Sequence, residues 1–505
     1  MESLILDGKS LTLNGLYSVA FDKRPVEIAP ACYEKAAEAR EIMESWAQKG
    51  KAIYGFNRGV GWNKDRDFDE SFIEAYNLKL IRSHALGVPP YHDDADVRAM
   101  MAIRLNNALT GVACVSDALI DRYRDFLNCG IHPRIPMRGS VGEADITTLS
   151  HMGLAFTGEG DVSYKGRVAS AAEAIADAGL PPYRMALKDG HSIILSNAQG
   201  EAMAALLAKG ARELVHISNL VYCLDYEGLN GNLEAMRADV NALRGLPRQC
   251  EMAAECRGYL EGSYLYEPHP DRALQDSLTF RGGFSYTATV LDAVDFIEKF
   301  LAIQINSPSD NPTIMPETRE TCVTSNFETT TLAVGVEMLS IALAHLSKAI
   351  CYRMIKMADP NFTGLTRFLA PHDNGSLGYA TIQNTFTALD VENRSLANPS
   401  SPDFYQLEGN IEDHASNLPT AARKSLQMLD NLRYLVGIEA LYAAQAVDLR
   451  GGVTLGSYTG LAYKTIRDAI PFLDCDRNMH KEILSAYDLV VSGKLLRIAE
   501  EGIKG

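Results

Sequence analysis

Basic residues are too few in this chain to balance the acidic ones, and the shortage limits its possible partners. The 505 residues include 48 Lys and Arg against 64 Asp and Glu, a formal net charge of −16. No cluster of Lys or Arg forms a basic patch along the sequence. Because proteins bind polyanions through such patches, we expect no nucleic-acid partner and a small molecule as ligand.

Cysteines with the spacing of metal or redox motifs are also missing. The nine cysteines are an odd number, and no Cys-x-x-Cys pair occurs. The pattern excludes a zinc knuckle and a dithiol redox motif, and it favours reduced thiols in a cytoplasmic protein. We therefore expect no metal site.

Segments typical of export or membrane insertion are absent as well. The N-terminus has no basic region followed by a long apolar run, so we predict no secretory signal. No uninterrupted apolar stretch approaches the roughly 18 residues that span a bilayer. The sequence therefore predicts a cytoplasmic protein without membrane contact.

Two stretches have the apolar spacing of long amphipathic helices, with apolar residues recurring every three or four positions. The first comprises Leu332, Val336, Leu339, Leu343, Leu346 and Ile350, and the second comprises Leu426, Leu429, Leu432, Val436 and Ala440. Neither is interrupted by proline, which favours a bundle of long central helices. Strand-like alternation is confined to short pieces such as residues 10–14.

The length of the chain alone suggests roughly three domains. A bundle of long helices is an exception to that expectation, because such helices share one elongated core. We predict two regions: a small mixed N-terminal region at 1–200, and a long-helix bundle with C-terminal helices at 201–505.

A glycine-rich loop runs from residue 54 to residue 61 and reads Tyr-Gly-Phe-Asn-Arg-Gly-Val-Gly. Its spacing matches neither the P-loop nor the dinucleotide-binding fingerprint. Three glycines in eight residues allow a loop to close over a ligand, and functional loops are often lids. We predict a loop that covers a substrate.

The most informative segment, residues 138–151, reads Arg-Gly-Ser-Val-Gly-Glu-Ala-Asp-Ile-Thr-Thr-Leu-Ser-His. It resembles the signature of the histidine and aromatic amino-acid ammonia-lyase family, in which Gly-Ser-Val-Gly leads into Ala-Ser-Gly-Asp and then Leu-Ser-His. In that family the Ala-Ser-Gly tripeptide becomes the electrophile methylidene-imidazolone (MIO). Here Glu143, Ala144 and Asp145 follow Gly142, one residue short, with no serine to dehydrate. The resemblance therefore implies a family member without MIO and without another cofactor.

Further motifs of the same family occur in the expected order along nearly the whole chain. Residues 54–61 are similar to its Tyr-Gly-x-Asn-Thr-Gly-Phe-Gly loop, and 80–88 to its Leu-Ile-x-Ser-His-Ala-x-Gly-Val segment. Residues 275–281 resemble Gln-Asp-x-Tyr-Ser-Leu-Arg. The remaining matches are Asn306-Ser307, Asp310-Asn311-Pro312, Asn326-Phe327, Glu392-Asn393 and Glu412-Asp413-His414.

The resemblance implies a mostly α-helical subunit of the fumarase/aspartase-like superfamily, assembled as a homotetramer with active sites shared among three subunits. It makes Tyr54 the base, with a packed tyrosine as the alternative. Arg281 corresponds to the arginine that binds the substrate carboxylate, a role that suits a planar guanidinium, although a structural salt bridge is the alternative. Glu412 and His84 correspond to pocket residues, and a hydrogen-bonded core histidine is an almost equal reading of His84.

The departures from the family pattern concentrate around one site. Glu143 stands where the electrophile is lost, and Arg58 replaces a threonine and could stabilise a Tyr54 phenolate. Glu328, after Phe327, replaces a common histidine, with a solvated or salt-bridged carboxylate as the alternative. Asn197 aligns with the family's electrophile-holding asparagine only by shifting a gap, whereas Gln199 fits better. Leu278 replaces a tyrosine that helps to surround the electrophile.

Without an electron sink, deamination of an ordinary amino acid should be lost, because each ~1.4 kcal/mol of barrier costs tenfold in rate. A quaternary trimethylammonium leaves without such activation and would suit a pocket where Glu143, Glu328 and Glu412 gather. The leading hypothesis is therefore a carbon–nitrogen lyase resembling the ergothionase-like trimethylamine lyases, which act on histidine betaines. The alternatives are another acid–base elimination or cyclisation, and a pseudoenzyme paired with an intact relative.

Overall fold

The computed structural model describes residues 1–66, 73–371 and 375–504. Within these ranges the chain is mostly helical, which confirms the predicted fold class. The α-helices are α1 (Leu13–Ala20), α2 (Pro30–Gln48), α3 (Ile73–His84), α4 (Asp94–Ala108), α5 (Asp117–Cys129), α6 (Ile146–Phe156), α7 (Ala171–Asp177), α8 (Asp189–Ile194), α9 (Ala198–Leu229), α10 (Ala238–Ala242), α11 (Pro247–Tyr259), α12 (Leu278–Arg281), α13 (Gly283–Gln304), α14 (Thr330–Met357), α15 (Pro360–Thr363), α16 (Ile382–Leu396), α17 (Leu418–Arg450), α18 (Ser457–Ala469), α19 (Met479–Val491) and α20 (Lys494–Lys504).

The strands are short and form small separate sheets. They are β1 (Leu4–Leu6), β2 (Val26–Ile28), β3 (Val88–Tyr91), β4 (His132–Pro133), β5 (Pro136–Arg138), β6 (Asp161–Tyr164), β7 (Arg167–Ser170), β8 (Thr313–Met315) and β9 (Glu320–Cys322). Strands β1 and β2 pair in parallel; β3 with β5, β4 with β6 and then β7, and β8 with β9 pair antiparallel. Such sheets are too small to hold a core of their own, so the helices provide it.

The two long helices predicted from periodicity are confirmed as α14, with 28 residues, and α17, with 33 residues. The stripe from Leu332 to Ile350 is fully buried, because its three- and four-residue spacing places every member on one face. Helices α9 and α13, of 32 and 22 residues, complete the set of long helices.

The predicted strand at residues 10–14 is wrong. Thr12 instead caps α1, because its side-chain oxygen accepts the backbone N–H of Gly15 at 3.0 Å. A threonine before an apolar run is an N-cap signal, and here it outweighs the alternation of apolar and polar residues. The helix therefore begins at Leu13.

Helix α14 is long and apolar enough to cross a membrane by length and composition alone. Its most apolar 18-residue window is 67% buried inside the protein. Apolar helices in the core of a protein pass the same test. The window arises because apolar residues recur around much of the helix, even though no long uninterrupted apolar run is present in the sequence.

The described chain divides into two compact units. The first comprises residues 1–206, 297–336 and 399–423, and the second comprises 207–296, 337–398 and 424–505. Both are interleaved along the sequence, so the predicted division between residues 200 and 201 stays a prediction. All nine cysteines lie in the described residues, and none of them forms a disulfide.

In the first unit, α3, α6 and α8 pack against one another. Gly153 of α6 allows the close approach to α3, since a Cβ at this position would lie 2.7 Å from the Ile81 side chain. Helix α8 is held at its start by buried Asp189, whose carboxylate accepts hydrogen bonds from the Ser116 hydroxyl at 2.7 Å and the Tyr183 hydroxyl at 2.8 Å. This packing fixes the wall of a cavity.

In the second unit, three buried charged residues lie between helices of the bundle. The guanidinium of Arg353 contacts the Glu439 carboxylate at 2.6 Å and the Asp225 carboxylate at 4.0 Å. Burial and the neighbouring Glu439 raise the pKa of Asp225 well above its ordinary value. One guanidinium therefore serves two buried carboxyl groups, and it lies closer to Glu439.

Candidate active site

A cavity of about 610 Å³ opens in the first unit, and every residue that lines it belongs to that unit. Its wall combines the loop that contains Tyr54, the segment that contains Glu143, the end of α8 and residues 408–414. The lining therefore unites stretches of the chain separated by up to several hundred residues. Of the residues predicted for the site, it includes Tyr54, His84, Glu143, Phe327, Glu328 and Glu412.

Tyr54 is partly buried in the cavity wall. Its oxygen accepts a hydrogen bond from the backbone N–H of Gly61 at 2.9 Å. Burial raises its pKa, and the carboxylates of Glu412 and Glu408 raise it further, against the lowering effect of the Gly61 N–H. A phenolate at this position would be stabilised by the backbone of the loop itself.

Arg58, predicted to stabilise that phenolate, is not among the residues that line the cavity. Its backbone N–H donates to the carbonyl of Ile53 at 3.1 Å, which helps to close the turn. The hydrogen-bond donor at the Tyr54 oxygen is instead the N–H of Gly61. Sequence spacing could not distinguish the two, because a turn points its side chains in several directions.

Glu143 presents a carboxyl group whose Oε2 is buried and has no hydrogen-bond partner among the described residues. Burial raises its pKa to about 8, with further contributions from Glu328, Glu412 and Asp413. Near neutral pH the group therefore carries a proton that a cation in the cavity could displace.

The segment around Glu143 is anchored by Asp145. Its Oδ1 accepts the Ser140 hydroxyl at 2.5 Å, and its Oδ2 accepts the backbone N–H groups of Gln199 and Gly200 at 2.9 and 3.1 Å. These N–H groups lie in the first turn of α9, where a carboxylate is stabilised by unpaired donors and by the helix dipole. Burial nevertheless raises the pKa of Asp145 to about 6.

This anchored segment does not fit an MIO group. Residues 143–145 contain neither the serine nor the glycine from which the group forms. Ala144 is buried with φ +54°, and Asp145 N–H donates to the Ser196 carbonyl at 2.6 Å. The backbone that would have to cyclise is therefore held by the start of α9.

Glu412 and Glu328 lie on the same cavity as Glu143. Burial raises the pKa of Glu412, with a further contribution from Glu408. Glu328 Oε1 accepts the backbone N–H of Thr330 at 2.8 Å at the start of α14, and its Oε2 lies 3.4 Å from His414 Nε2. Glu328 thus has hydrogen-bonding neighbours of its own, and it also lines the cavity.

Two other predicted residues lie in buried hydrogen-bond networks and do not line the cavity. The side chain of Gln199 accepts the Thr148 hydroxyl at 2.6 Å and lies 2.9 Å from His92 Nε2. The side-chain amide of Asn197 donates to the carbonyl of Phe327. Asn197 therefore holds the backbone of a lining residue.

His84 lines the cavity with its Nδ1 2.8 Å from the Leu80 carbonyl, within its own helix α3. A second lining histidine, His191, was missed by the sequence analysis. Its ring meets that of Tyr54 edge to face, with centroids 5.6 Å apart and planes at 65°. The available signal was a histidine directly after Lys188, Asp189 and Gly190, in a segment with no apolar periodicity of its own.

Arg281 is the last residue of α12 and belongs to the second unit. Its Nε is buried without a hydrogen-bond partner among the described residues. Within its own unit, the carbonyl of the preceding Phe280 accepts the buried Tyr222 hydroxyl. Its binding of a substrate carboxylate stays a prediction.

In the described part of the chain, no group of three or more His, Cys, Asp or Glu residues could hold a metal ion. The carboxyl groups at the cavity lie along its wall.

Comparison with known proteins gives consistent results over the whole chain. A family model described as aromatic amino acid lyase matches residues 11–468. The chain is 33% identical to histidine ammonia-lyase of Geobacillus thermodenitrificans over 482 residues, 95% of each protein. It superposes with a TM-score of 0.96 on the crystal structure of the ergothioneine-degrading enzyme ergothionase from Treponema denticola in complex with desmethyl-ergothioneine sulfonic acid, at 54% identity and with 98% and 99% of the two chains covered. Tyrosine aminomutase from Streptomyces globisporus follows at 28% identity and a TM-score of 0.94, with 99% of each chain covered.

Proposed function

This chain belongs to the aromatic amino acid lyase family, and from that membership we propose that it is an MIO-independent lyase that releases trimethylamine from a histidine betaine such as ergothioneine. That the chain is an amine-eliminating lyase follows from the family and from the ergothionase neighbour. The proposals of MIO independence, of trimethylamine as the leaving group and of Tyr54 as the base rest on the residues of the cavity.

The observation that carries the proposal is the accumulation of acidic groups beside Tyr54. Glu143, Glu328 and Glu412 line one cavity, and Glu143 Oε2 has no partner among the described residues. Acidic groups around a cavity complement a quaternary ammonium, which is positively charged and cannot donate a hydrogen bond. Glu328 already accepts hydrogen bonds from Thr330, so it can attract a cation that donates none.

The leaving group explains how the reaction could proceed without an electrophile. A primary ammonium is a poor leaving group, and the family overcomes this with MIO. A trimethylammonium has no N–H proton to lose to a base, so it keeps its charge and its ability to leave. It departs as neutral trimethylamine, which takes the electron pair of the breaking carbon–nitrogen bond. Residues 143–145 are then free to serve as a cation site.

Tyr54 would remove the β-proton. In this step the phenolate takes the proton, the electron pair of the C–H bond becomes the second bond of the alkene, and the carbon–nitrogen bond breaks. The free site disfavours the phenolate because of burial and because of Glu412 and Glu408. A bound cation offsets the field of these carboxylates, so substrate binding itself would lower the pKa of Tyr54 while Gly61 N–H holds the phenolate oxygen.

The substrate carboxylate would be bound by Arg281 in a homotetramer whose sites are shared among subunits, as the family resemblance implies. The surface of α14 supports association of copies, because an apolar stripe along it is exposed: Val334, Met338, Ile341, Tyr352 and Ile355. Exposed apolar side chains of this kind mark an interaction surface, and here His345 and Lys348 separate them into two groups. The partners we propose are thus a small-molecule substrate and further copies of the chain.

The test is trimethylamine release together with ultraviolet absorbance when purified protein is mixed with histidine betaine or ergothioneine. Wild type is compared with Tyr54→Phe, and with Tyr33→Phe as a matched control. Tyr33 is a tyrosine whose hydroxyl bonds Asp121 at 2.6 Å, and it does not line the cavity. We expect amine and a conjugated acrylate to appear in equal amounts with wild type and Tyr33→Phe, and a loss of about 10²–10⁴-fold with Tyr54→Phe.

No release from either substrate would contradict the trimethylamine proposal. The remaining hypotheses would then be another elimination or cyclisation by Tyr54 and Glu143, or a pseudoenzyme paired with an intact relative. Tight binding to a purified intact ammonia-lyase would favour the pseudoenzyme.

A further inference from the structure

His191 is a buried histidine in the cavity wall for which the elimination step has no use. It is 4% exposed, lines the cavity and packs its ring against that of Tyr54. Its Nδ1 is buried and has no hydrogen-bond partner among the described residues. Because Nδ1 faces Gly55 of the loop that contains Tyr54, the ring can offer a ligand in the cavity only its other nitrogen, Nε2.

The short helix α8 holds this ring rigidly. Asn77 accepts the Gly190 backbone N–H at 2.7 Å, and Lys188 Nζ donates to the Pro312 carbonyl at 3.0 Å. On the other side of His191, the Ser192 hydroxyl accepts a hydrogen bond from buried Arg104. Residues before and after His191 are thus fixed by buried side chains, an arrangement typical of a preorganised binding group.

The loop that contains Tyr54 fits against the same ring. Gly55 has φ +65°, and a Cβ there would lie 2.4 Å from His191 Nδ1. Only glycine permits this approach, so the positions of Tyr54 and His191 depend on each other.

The ring is uncharged although carboxylates share its cavity. Burial lowers the pKa of His191 well below its ordinary value, and Lys188, Arg104 and His84 lower it further. A neutral imidazole both donates and accepts a hydrogen bond, and it does not repel a cationic substrate. The acidic part of the wall and the neutral part would therefore bind different parts of one ligand.

We propose that His191 is a specificity-determining residue that hydrogen-bonds the polar edge of the substrate's heteroaromatic ring. The inference rests on the proposed function for the identity of the rest of the substrate. Around His191, the lining residues Ile146, Ile194, Leu195 and Phe327 are apolar, which suits the faces of a flat ring. His84 is less suited to this role, because its Nδ1 already contacts the Leu80 carbonyl.

The experiment compares the binding of histidine betaine and phenylalanine betaine, which share the cation, the carboxylate and the β-carbon. Calorimetry is carried out in the Tyr54→Phe background to suppress turnover, with His191 intact or changed to Leu or Gln. His151→Leu is the matched control, because His151 also has a buried ring nitrogen without a partner in the described chain but does not line the cavity.

We expect His191→Leu to reduce the preference for histidine betaine over phenylalanine betaine by roughly tenfold to a hundredfold, mainly because histidine betaine binds more weakly. His191→Gln should restore part of the preference, and His151→Leu should leave it unchanged. Equal weakening of both betaines, or no change with His191→Leu, would overturn the inference.

A second probe separates this inference from the proposed function. Binding of 4-methylimidazole and of toluene, observed by ligand NMR, reports on ring recognition without a cation or a reaction. The wild type could be inactive on histidine betaine and ergothioneine while His191→Leu still abolishes the binding of 4-methylimidazole. That result would contradict the proposed function and support the inference. If the His191→Leu variant binds both fragments as the wild type does, the inference is overturned even when the enzyme is active.

Discussion

The phenol oxygen of Tyr54 accepts its hydrogen bond from the backbone N–H of Gly61, seven residues along the same loop and 2.9 Å away. A loop that carries its own stabilising donor needs no cationic side chain to hold a phenolate. This hydrogen bond couples the acidity of Tyr54 to the conformation of the loop, because a loop that opened would move the Gly61 N–H away from the phenol oxygen. Ionisation of Tyr54 is therefore tied to the closed loop.

Glu143 should make the stability of the protein fall as the pH rises. Its pKa is about 8 in the folded protein against 4.5 for an ordinary glutamate, so between these values the folded state keeps a proton that the unfolded chain has lost. Glu143→Gln should therefore equal wild type near pH 4 and exceed it at pH 9 by about 1–2 kcal/mol, after allowance for solvent screening. Thermal unfolding between pH 4 and 9 measures this. Glu38→Gln, at an exposed position on α2, should follow wild type at every pH.

Cation binding should release the proton of Glu143. Tetramethylammonium is a suitable probe because it has the charge and methyl groups of the proposed leaving group and cannot react. We expect its affinity to rise with pH up to about 8, by at most about tenfold per pH unit, and calorimetry in buffers of different ionisation enthalpy should detect proton release. Glu143→Gln should abolish the pH dependence. An equally steep dependence in Glu143→Gln would assign the proton to another group.

Gly55→Ala should impair activity far more than Gly50→Ala, although both glycines have positive φ. A Cβ at Gly55 would collide with the His191 ring, whereas a Cβ at Gly50, with φ +71°, would meet no atom within 4 Å. Each change costs about 1–2 kcal/mol of backbone strain, and Gly55→Ala adds an overpacking cost of about 1–3 kcal/mol. Urea unfolding and kcat/KM of both variants test the difference. Equal activities would show that the contact between the loop and His191 has no role in turnover.

Arg353→Met should destabilise the protein strongly, because it leaves the Glu439 carboxylate buried and without its cation. Removal of one partner from a buried pair costs about 3–5 kcal/mol. Arg237→Met is the comparison: Arg237 contacts Asp239 at 2.6 Å, both side chains are more than half exposed, and such surface pairs contribute about 1 kcal/mol or less. The free energies of unfolding of the two variants, measured with denaturant, should differ by more than about 2 kcal/mol.

Local pattern predicted the parts of the fold that depend on burial of one helix face. Helices α14 and α17 follow from periodicity because the core selects apolar residues at three- and four-residue spacing. The strand predicted at residues 10–14 failed because a single side-chain hydrogen bond, from Gly15 N–H to Thr12, decides where α1 begins. Alternation over five residues contains no information about such a bond.

The candidate site was predictable only where family motifs mark it. Tyr54, Glu143 and Glu412 are far apart in sequence, and no periodicity indicates that they line one cavity. The roles of side chains within the motifs were less accessible: Arg58 does not line the cavity, and Gln199 lies in a buried network. His191 was missed because its burial and its contact with the Tyr54 ring arise only in the folded chain.

The hydrogen bonds between Asp145 and the start of α9 have a consequence for the engineering of this chain. Because Asp145 accepts the N–H groups of Gln199 and Gly200, residues 143 and 144 lead into a point that is fixed by the helix. A residue inserted there to complete the family's tripeptide would have to fit without moving Asp145. An engineer who wished to install the prosthetic group would therefore design the segment and the first turn of α9 together.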